Sequence, residues 1–541
     1  VDDAIVVVEA AEHHIEQGLS PRAAAHQAME EVSGALIAIG LVLSCVFLPC
    51  VFLTGITGQF FRQFALTIAV STILSAMNSL TLSPALCAIL LKPRHEQRDL
   101  LARLVDLVLG WFFKLFNAVF SASVTGYTWI VGRFLRVSAL VLVVYGGLLY
   151  LTSWSLERMP TGFIPNQDQG YLYVVAQLPD SASLARTEEA MAKIDQIVRS
   201  TKGVAHTLRT SGMSFVMGAN GSHLGNMFVI LDPFEKRRTP DLRADAVAAA
   251  IRQRLAAGVE DGTTAVLGAP PVRGLGSTGG FKVMVEDRGG DGYNALQEIS
   301  DQLIQVGNQS AGLSGLFTVF RANAPQLYVN VDRTRCKAMG VPLTEVFDAL
   351  QVNLGGLYVN DFNQFGRTWQ VNLQADVPYR MHREQVRRFQ VRNSRGDMVP
   401  LGSLAAIEDS SGPFVINRYN LYPAAAVNGS VLPGTSSGQM IAAVEAIARQ
   451  HLPASMAIEW TDLTYLEIIA GSTTLFVFGA AVVLVFLVLA GQYESWSLPL
   501  AVILVVPMCI LSSLIGLYLA GMPINIFTQI GFVVLIGLAS K

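Results

Sequence analysis

Long apolar runs dominate both ends of the chain, and short alternating segments fill its middle. The stretches without a charged residue are 32–61, 63–91, 137–156, 468–493 and 495–540. A helix of about 20 mostly apolar residues crosses a bilayer, so these stretches predict membrane spans. The last stretch is long enough for two spans, and the turn residues Pro523 and Asn525 predict where it divides. Long buried helices of a soluble protein are the alternative, but such helices rarely extend so far without a charge.

The spans predicted from these runs alternate with charged segments. Partial spans are predicted at 1–17 and 526–541, and a basic segment at 93–136. The complete predicted spans are 32–61, 63–92, 137–156, 466–491 and 497–520. The chain has no initiator methionine and ends directly after the run IGFVVLIGLAS. We therefore expect it to be a piece of a longer protein, cut within two helices.

The middle of the chain, from 157 to 467, has the pattern of an α/β protein. Residues 171–178 (YLYVVAQL) and 281–286 (FKVMVE) have strand character, and each precedes a segment with apolar residues at helical spacing. The alternation recurs without a nucleotide-binding fingerprint, which favours split β-α-β modules of the ferredoxin-like type over a Rossmann domain. The predicted fold class is an α-helical membrane bundle plus an α/β region of ferredoxin-like modules.

Basic residues give the direction of the spans. Lysine and arginine are concentrated in 92–136, and such segments stay on the inner side of a membrane. One crossing through 137–156 then places 157–467 outside. Within the basic segment, WFFKLFNAVF (111–120) is amphipathic, which fits either an interfacial helix or a helix packed on the bundle.

Composition argues against several classes of function. Hydrophobic residues make up 52% of the 541 residues and charged residues only 15%, against roughly 25% charged in soluble proteins. The net charge of −3 gives no support for a nucleic-acid partner. Only one of the five cysteines, Cys336, lies outside an apolar run, so neither a disulfide framework nor a metal site is predicted, and no cofactor is expected.

The opening residues, VDDAIVVVE, place two carboxylates against an apolar run. If this run is part of a span, Asp2 and Asp3 lie near the middle of the bilayer, where ionisable residues are costly and usually functional. Burial and a second carboxylate both favour the protonated form of a carboxyl group, whereas a nearby cation favours the charged form. Such a pair is suited to take up and release a proton near neutral pH.

Lys541 is the candidate cation at the other end of the chain. It follows the eleven residues IGFVVLIGLAS, so it also lies at depth if 526–541 is part of a span. A lysine at that depth needs a carboxylate partner. Proton coupling by Asp2, Asp3 and Lys541 is one interpretation, and charges that fall by chance at two truncation points are the other.

Six stretches of the chain occur in the order of a known transporter family. They are VDDAIVVVE (1–9), TLSPALCAILLKP (81–93), MPTGFIPNQDQGYL (159–172), GGLYVNDFNQFGR (355–367), AGQYESWSLPLAVILVVP (490–507) and GLASK (537–541). Together they resemble the resistance–nodulation–division (RND) efflux transporters, in the branch that exports hydrophobic and amphiphilic compounds. The resemblance covers the whole chain and would place it between the fourth and the tenth membrane span of that family.

The resemblance implies a proton-driven drug exporter of the bacterial inner membrane, which is a secondary active transporter and not an enzyme. It implies a homotrimer in the lipid bilayer that works with a periplasmic adaptor protein and an outer-membrane channel on small hydrophobic drugs. Asp2, Asp3 and Lys541 match the family's proton relay. The outside region would contain a porter subdomain at 157–265, a second one at 266–324 and 413–462, and a docking subdomain at 325–412.

The stretch TSGMSFVMGANGSHLGNMF (210–228) resembles the glycine-rich switch loop beside the family's drug site. Its switch-loop glycines, which supply flexibility, are Gly212, Gly218 and Gly221. The implied substrate-binding positions are Leu208, Met213, Phe215, Met217 and Phe228. Leu208 and Met213 stand where the best-known members have aromatic residues, which leaves the substrate range open. For Phe228, an ordinary place in the core of a strand is the alternative.

Other interpretations of the sequence remain open. His13 and His14 stand among Glu9, Glu12 and Glu16, and we interpret this group as a solvated helix end and not as a metal site. Two further functions are export of a lipid or a metal ion by a related pump, and a membrane-anchored scaffold without transport. Carboxylates and a lysine at depth argue against the scaffold, because a scaffold has no need of them.

Overall fold

Two groups of apolar helices flank an α/β region in the computed structural model of the chain. The structure describes residues 2–91, 100–276, 278–432, 434–470 and 473–539. Within these ranges, five helices have the length and apolar composition needed to cross a membrane, and they are Pro21–Val51, Gly55–Leu90, Ser138–Arg158, Phe476–Tyr493 and Ser497–Ala520. The chain therefore combines candidate membrane spans with a large α/β part.

The first group of helices precedes the α/β region. Its members are α1 (Asp2–Glu16), α2 (Pro21–Val51), α3 (Gly55–Leu90), α4 (Leu100–Arg136) and α5 (Ser138–Arg158). Proline begins α2, because its missing N–H falls where a helix leaves its first N–H groups unbonded anyway. The charge-free run 32–61 covers the end of α2, a break at 52–54 and the start of α3. The charge criterion missed this break because Phe52, Leu53 and Thr54 are themselves uncharged.

The first sheet unit, residues 171–268, follows these helices. It consists of β1 (Tyr171–Gln177), α6 (Leu184–Arg199), β2 (Val204–Ser214), β3 (Ala219–Leu231), α7 (Ala244–Gly258) and β4 (Thr263–Gly268). The strands form an antiparallel sheet in the order β2-β3-β1-β4. Both helices pack on one face of the sheet, where Val174, Met191, Met227 and Ile251 are fully buried. This packing leaves the other face of the sheet without a helix.

The second sheet unit, residues 281–318 and 422–460, is interrupted by an inserted unit, residues 324–412. The second unit begins with β5 (Phe281–Asp287), α8 (Tyr293–Gln309) and β6 (Leu313–Thr318). The inserted unit contains β7 (Ala324–Val331), α9 (Arg333–Ala338), α10 (Leu343–Leu350), β8 (Leu357–Gln364), β9 (Arg367–Leu373), α11 (Arg383–Val386), β10 (Gln390–Arg392), β11 (Met398–Pro400) and β12 (Ala405–Gly412). The chain then returns through β13 (Asn417–Tyr419), β14 (Tyr422–Val431), α12 (Ser437–His451) and β15 (Met456–Trp460).

Without the insertion, the second sheet unit repeats the element order of the first. Its strands and helices run β-α-β-β-α-β, and its sheet has the order β6-β14-β5-β15, with β13 added at the free end of β14. Its core contains Val283, Leu296, Leu303 and Val427, which are all buried. The two units are therefore two versions of one topology.

The second group of helices follows β15. Its members are α13 (Asp462–Ala470), α14 (Thr473–Tyr493), α15 (Ser497–Ile503), α16 (Val506–Ala520) and α17 (Ile526–Ala539). Helices α14 and α17 pack against α2 of the first group. Val46, Ala481, Val533 and Ile536 are fully buried in the shared apolar core. The two groups thus form one bundle although about 300 residues separate them along the chain.

Main-chain hydrogen bonds tie the second helix group to the start of the α/β region. A short parallel bridge joins Thr161, which follows α5, to Ile524, which precedes α17. The N–H of Gly162 donates to the carbonyl of Ile524 (2.9 Å), and the N–H of Ile526 donates to the carbonyl of Phe163 (3.0 Å). The segment before α17 is therefore held by the segment after α5.

The second sheet unit joins the same place through the start of α12. Ser437 Oγ accepts a hydrogen bond from the N–H of Phe163 (3.1 Å) and donates one to Glu467 Oε1 on α13 (2.6 Å). One serine thus connects the segment after α5, helix α12 and helix α13. We call this set of contacts, together with the Thr161–Ile524 bridge, the junction.

Candidate functional site

A buried carboxyl group lies on the first helix. Asp3 is 7% exposed, and it shares one face of α1 with Val7 and Ala11, which are fully buried. This face packs against α2 and α3. The predicted proton-relay residue Asp3 is therefore enclosed within the helical bundle. The side chain of Asp2 and the whole of Lys541 lie outside the described residues.

Helix α17, which leads toward Lys541, makes a close contact with α2. A Cβ atom added at Gly537 would lie 3.2 Å from Leu43 Cδ1 and 3.4 Å from Val46 Cγ2. Glycine at this position lets the two helices approach closely, as small residues do at helix interfaces in membranes. The end of α17 is thus fixed against α2, the helix that also packs on α1.

The structure corrects the interpretation of His14 alone. His14 is 4% exposed, whereas Glu9, Glu12, His13 and Glu16 are exposed, as expected for a solvated helix end. Its Nε2 atom lies 3.1 Å from Glu31 Oε2 on α2. His13, in contrast, is exposed and contacts Gln17 one turn later (2.9 Å). In the described part of the chain no group of three or more candidate ligands could hold a metal ion.

The second candidate site lies on the helix-free face of the first sheet unit. Leu208 on β2, Phe228 on β3 and Tyr173 on β1 stand in one row, because Phe228 pairs in register with both of the others. Their neighbours Met227 and Val229 point the opposite way, into the core under the helices. Phe228 is therefore not a core residue of its strand, and the row faces away from the helices.

Aromatic rings continue this row in both directions. The ring centres of Phe215 and Phe228 are 5.2 Å apart, and those of Phe228 and Tyr173 are 4.7 Å apart. The ring centres of Tyr173 and Tyr171 are 5.5 Å apart. All three contacts are edge-to-face, the geometry that aromatic pairs prefer. Burial, with the neighbouring Tyr171, raises the pKa of Tyr173, so its phenol stays neutral near pH 7. We call Leu208, Phe215, Phe228, Tyr171 and Tyr173 the aromatic face.

The predicted switch loop forms the end of the hairpin between β2 and β3. Residues 215–218 make the turn, in which the N–H of Gly218 donates to the carbonyl of Ser214 (2.9 Å). Gly218 has a φ of +65°, which suits glycine at the end of the turn. Gly212 (φ +89°) lies where the pairing of β2 with β3 is irregular, between Ser211 and Met213. Met213 and Met217 are half-buried around this hairpin end, beside Phe215.

The hairpin is held from the side by the segment that follows the inserted unit. A Cβ atom at Gly221 would lie only 2.6 Å from Cζ of Phe414, so only glycine fits there without a shift. Two residues on, the ring of buried His223 packs edge-on against Phe414 (4.8 Å) and lies 3.6 Å from Asp180. Burial lowers the pKa of His223, although Asp180 opposes this effect.

A cleft of about 360 Å³ lies beside the aromatic face, between the two sheet units. Tyr171 and Arg252 of the first unit and Ser430 of the second are among its lining residues. At its edge Arg237, whose side chain is 1% exposed, binds Asp168 through two contacts of 2.6 and 3.1 Å. Burial alone would raise the pKa of Asp168, but hydrogen bonds from Arg237 and two backbone N–H groups lower it.

Sequence reasoning missed the two tyrosines of the aromatic face. Tyr171 and Tyr173 alternate with Leu172 and Val174, which are buried under the helices. This alternation is visible in YLYVVAQL and places both tyrosines on the face opposite to the core. The signal was therefore present, but nothing in it says that this face lacks a helix.

An apolar helical bundle with five helices long enough to cross a membrane among the described residues, joined to two related sheet units, indicates a membrane protein. The chain belongs to the AcrB/AcrD/AcrF family, whose model matches residues 1–541. This finding confirms the resemblance to RND efflux transporters.

Named relatives agree with the family. The chain is 36% identical over 544 residues to the multidrug/solvent efflux pump membrane transporter MepB of Pseudomonas putida, with 100% of this chain and 51% of MepB covered. It is 34% identical over 549 residues to the multidrug export protein AcrF of Escherichia coli strain K12, with 100% and 52% covered. The multidrug resistance protein MdtF of the same strain is 32% identical over 550 residues, with 100% and 51% covered. The chain thus spans about half the length of these relatives.

Proposed function

We propose that this chain belongs to a proton-driven exporter of hydrophobic and amphiphilic compounds, such as antibiotics, dyes and detergents. The aromatic face carries this proposal, because it offers several rings to an apolar ligand on the sheet surface opposite to α6 and α7. The names of MepB, AcrF and MdtF refer to multidrug efflux, export or resistance. Their function is consistent with such a surface.

The residues of the aromatic face suit ligands of varied shape. Rings in edge-to-face contact provide apolar area without a fixed hydrogen-bond pattern. Met213 and Met217 have flexible thioether side chains that adapt to different partners. With Leu208, Phe215 and Phe228 they form the proposed substrate-binding site, and the hairpin with Gly212, Gly218 and Gly221 is its proposed switch loop.

We propose that Asp2, Asp3 and Lys541 form the proton relay. Asp3 is buried among the helices. In general, burial favours the protonated form of a carboxyl group, and a lysine close by favours the charged form. Movement of the lysine toward or away from the carboxyl groups would then drive proton uptake and release. This equilibrium between two helix arrangements is the element that a proton gradient can bias.

The proposed setting is the bacterial inner membrane, with 157–467 in the periplasm. The two sheet units correspond to ferredoxin-like porter subdomains, since both have the β-α-β-β-α-β order. The inserted unit corresponds to a docking subdomain. The complete protein would be a homotrimeric secondary transporter that works with a periplasmic adaptor protein and an outer-membrane channel.

Drug efflux from proteoliposomes under an imposed proton gradient tests the function. We expect a full-length transporter containing this chain to export an apolar dye, and Asp3→Asn to abolish export, because the amide keeps the size of the side chain but cannot titrate. Glu12→Gln is the matched control, since Glu12 is an exposed carboxylate on the same helix. Export by Asp3→Asn at the parent rate would refute the relay.

Reporter fusions test the proposed topology separately. A reporter at Gly203, in the first sheet unit, should lie outside, and one at Arg98, in the basic segment, should lie inside. The same side for both reporters would overturn the assignment of 157–467 to the periplasm.

A further inference from the structure

His14 is the buried titratable group that the proposed relay does not use. It is 4% exposed, and neither of its ring nitrogens has a well-aligned hydrogen bond to another described residue. Buried polar atoms are almost always hydrogen-bonded. A buried imidazole without such bonds therefore indicates that its nitrogens bind water or exchange a proton when the protein functions. Its Nε2 is nevertheless only 3.1 Å from Glu31 Oε2.

Glu31 connects His14 to the solvent. The Glu31 side chain is 55% exposed, whereas that of His14 is 6% exposed. A proton on the buried imidazole therefore lies one transfer away from a carboxylate in contact with water. His14 also lies on the buried face of α1 that carries Asp3, eleven residues or about 16 Å further along the helix.

Small polar side chains on α3 follow this face of α1. Ser79 and Ser83 are 1% and 8% exposed, and with Cys87 they are spaced four residues apart, so they share one stripe of α3. Ser79 lines a cleft together with Ala4 of α1, and Cys87 packs with Ala11. The stripe therefore runs beside α1 from the level of Asp3 toward that of His14.

The other titratable groups near His14 have different surroundings. On α1, His13 is exposed, with its ring 5.9 Å from that of His14, and Glu12 and Glu16 are exposed. On α2, Arg22, His26 and Glu30 line a separate cleft against α3. On α3, the thiol of Cys87 is the titratable group of the buried stripe. Among the described groups, Glu31 is thus the carboxylate in contact with His14.

We propose that His14 and Glu31 form the proton-release end of the pathway that begins at the Asp2–Asp3 pair, an inference that rests on the proposed transport function. The neutral imidazole, which carries its proton on Nε2, accepts a second proton at Nδ1 from water between the helices. The imidazolium then gives its Nε2 proton to the Glu31 carboxylate, and the resulting carboxylic acid releases it to water. The ring is left with its proton on Nδ1, and it regains the Nε2–H tautomer when water takes the Nδ1 proton and returns one to Nε2, so the protons balance.

The relay and a merely structural contact between α1 and α2 predict different behaviour. A structural contact needs only size and hydrogen bonding, so His14→Gln would preserve it. A relay needs a titratable ring, so His14→Gln should slow proton-driven export even where folding and dye binding are normal. A small diffusible base can replace a missing relay residue but cannot replace a missing packing contact.

Proteoliposomes with a full-length transporter containing this chain provide the test. We expect His14→Gln and Glu31→Gln to lower dye export under a proton gradient on the order of 10-fold, while dye binding stays at the parent level. Free imidazole should restore export by His14→Ala. The matched control is His13→Gln, which removes an exposed histidine next to His14 and should keep the parent rate and pH profile.

Each outcome decides one question. Export by His14→Gln at the parent rate, with the parent's pH profile, overturns the relay. Loss of export by His14→Ala that imidazole does not restore assigns His14 to packing and also overturns it. If His14→Ala does not assemble, Glu31→Gln decides, and full export by that variant refutes the inference. Absence of export by the parent itself contradicts the proposed function and not this inference alone.

Discussion

The two sheet units share a topology but differ in what they carry on the face opposite to their own pair of helices. In the first unit this face holds the rings of Phe215, Phe228 and Tyr173. In the second unit it holds Glu286, which is fully buried and bound by Arg288 (2.7 Å). Both faces are built by the same element order, so topology does not determine which of them is aromatic and which is charged.

The charged side chains on this face of the second unit bind one another. Arg288 bridges Glu286 and Glu459 (2.7 and 2.6 Å), and Asn420 donates to the second oxygen of Glu286 (3.1 Å). The described side chains of the aromatic face form no comparable charge network: their rings meet edge to face, and Tyr171 and Tyr173 share a side-chain hydrogen bond. Satisfied charges fix a surface in one arrangement, whereas ring contacts permit several. We therefore expect the second unit to be the more rigid of the two and the first unit to be the more adaptable.

The largest expected effect is the loss of the charge network. Arg288→Ala leaves the buried carboxylate of Glu286 without its cation, which should destabilise the second unit by about 3–5 kcal/mol. Hydrogen exchange of the β5 and β14 amides in the purified protein measures this change as faster local opening.

Glu459→Ala is the control for Arg288→Ala. It removes the half-exposed partner of Arg288, and such pairs contribute about 0–1 kcal/mol. If both substitutions lower the stability of the second unit equally, the burial of Glu286 does not make its pairing with Arg288 matter more than the half-exposed pairing with Glu459.

The next effect concerns the rings of the aromatic face. Phe228→Ala should weaken binding of an apolar dye by about 1–3 kcal/mol through lost contact area, and Phe215→Ala should act similarly. Fluorescence titration measures the affinity, and a drug-susceptibility profile measures the consequence in cells. Phe365→Ala is the control, because Phe365 is an 87% exposed ring on the inserted unit. An unchanged affinity and profile for both variants would remove the binding role of the aromatic face.

A third test concerns the contact between the β2–β3 hairpin of the first unit and Phe414. Gly221→Ala forces the new methyl group against Phe414, which should cost about 1–3 kcal/mol as overpacking. Thermal unfolding of the detergent-solubilised protein should show a lower midpoint. The double substitution with Phe414→Ala should recover most of the loss, since it removes the clashing ring. Failure to recover would mean that the hairpin is held elsewhere.

The smallest effect is expected from pH. Burial lowers the pKa of His223, so the folded protein binds this proton less tightly than the unfolded chain, whose histidine titrates near the ordinary value of about 6.5. The stability contribution is therefore complete above that pH and declines as the pH falls below it. His223→Gln should flatten the acid side of a stability–pH curve, whereas the exposed control His206→Gln should not. An unchanged acid side in His223→Gln would contradict the assignment.

Sequence patterns predicted local elements better than the contacts between them. The predicted strands 171–178 and 281–286 appear as β1 (Tyr171–Gln177) and β5 (Phe281–Asp287), because alternation and β-branched content are local properties. The row of Leu208, Phe228 and Tyr173 depends on the register of three strands, one of which has an irregularity near Gly212. Turns and bulges set a register of this kind, so it cannot be predicted from the sequence of a single strand.

The burial of His14 was missed for a related reason. Glu12, His13 and Glu16 stand close to it in sequence, and these polar residues suggested solvent. Its partner Glu31 stands seventeen residues later on another helix, and the packing of α1 on α2 and α3 is what removes the ring from water. Helical periodicity does place Asp3, Val7, Ala11 and His14 on one face, so the signal was available once the helix was assigned.

The junction has a mechanical consequence for how the two sheet units respond to the membrane. A translation of α17 along its axis must either break the Gly162–Ile524 and Ile526–Phe163 hydrogen bonds or carry the segment after α5 with it. That segment is hydrogen-bonded to Ser437 at the start of α12, so we expect the same displacement to be passed directly to the second unit. The first unit is connected to the junction through residues 165–170, which have no regular secondary structure. If the helices shift, we therefore expect the second unit to move with them and the cleft beside Tyr171 to change in width.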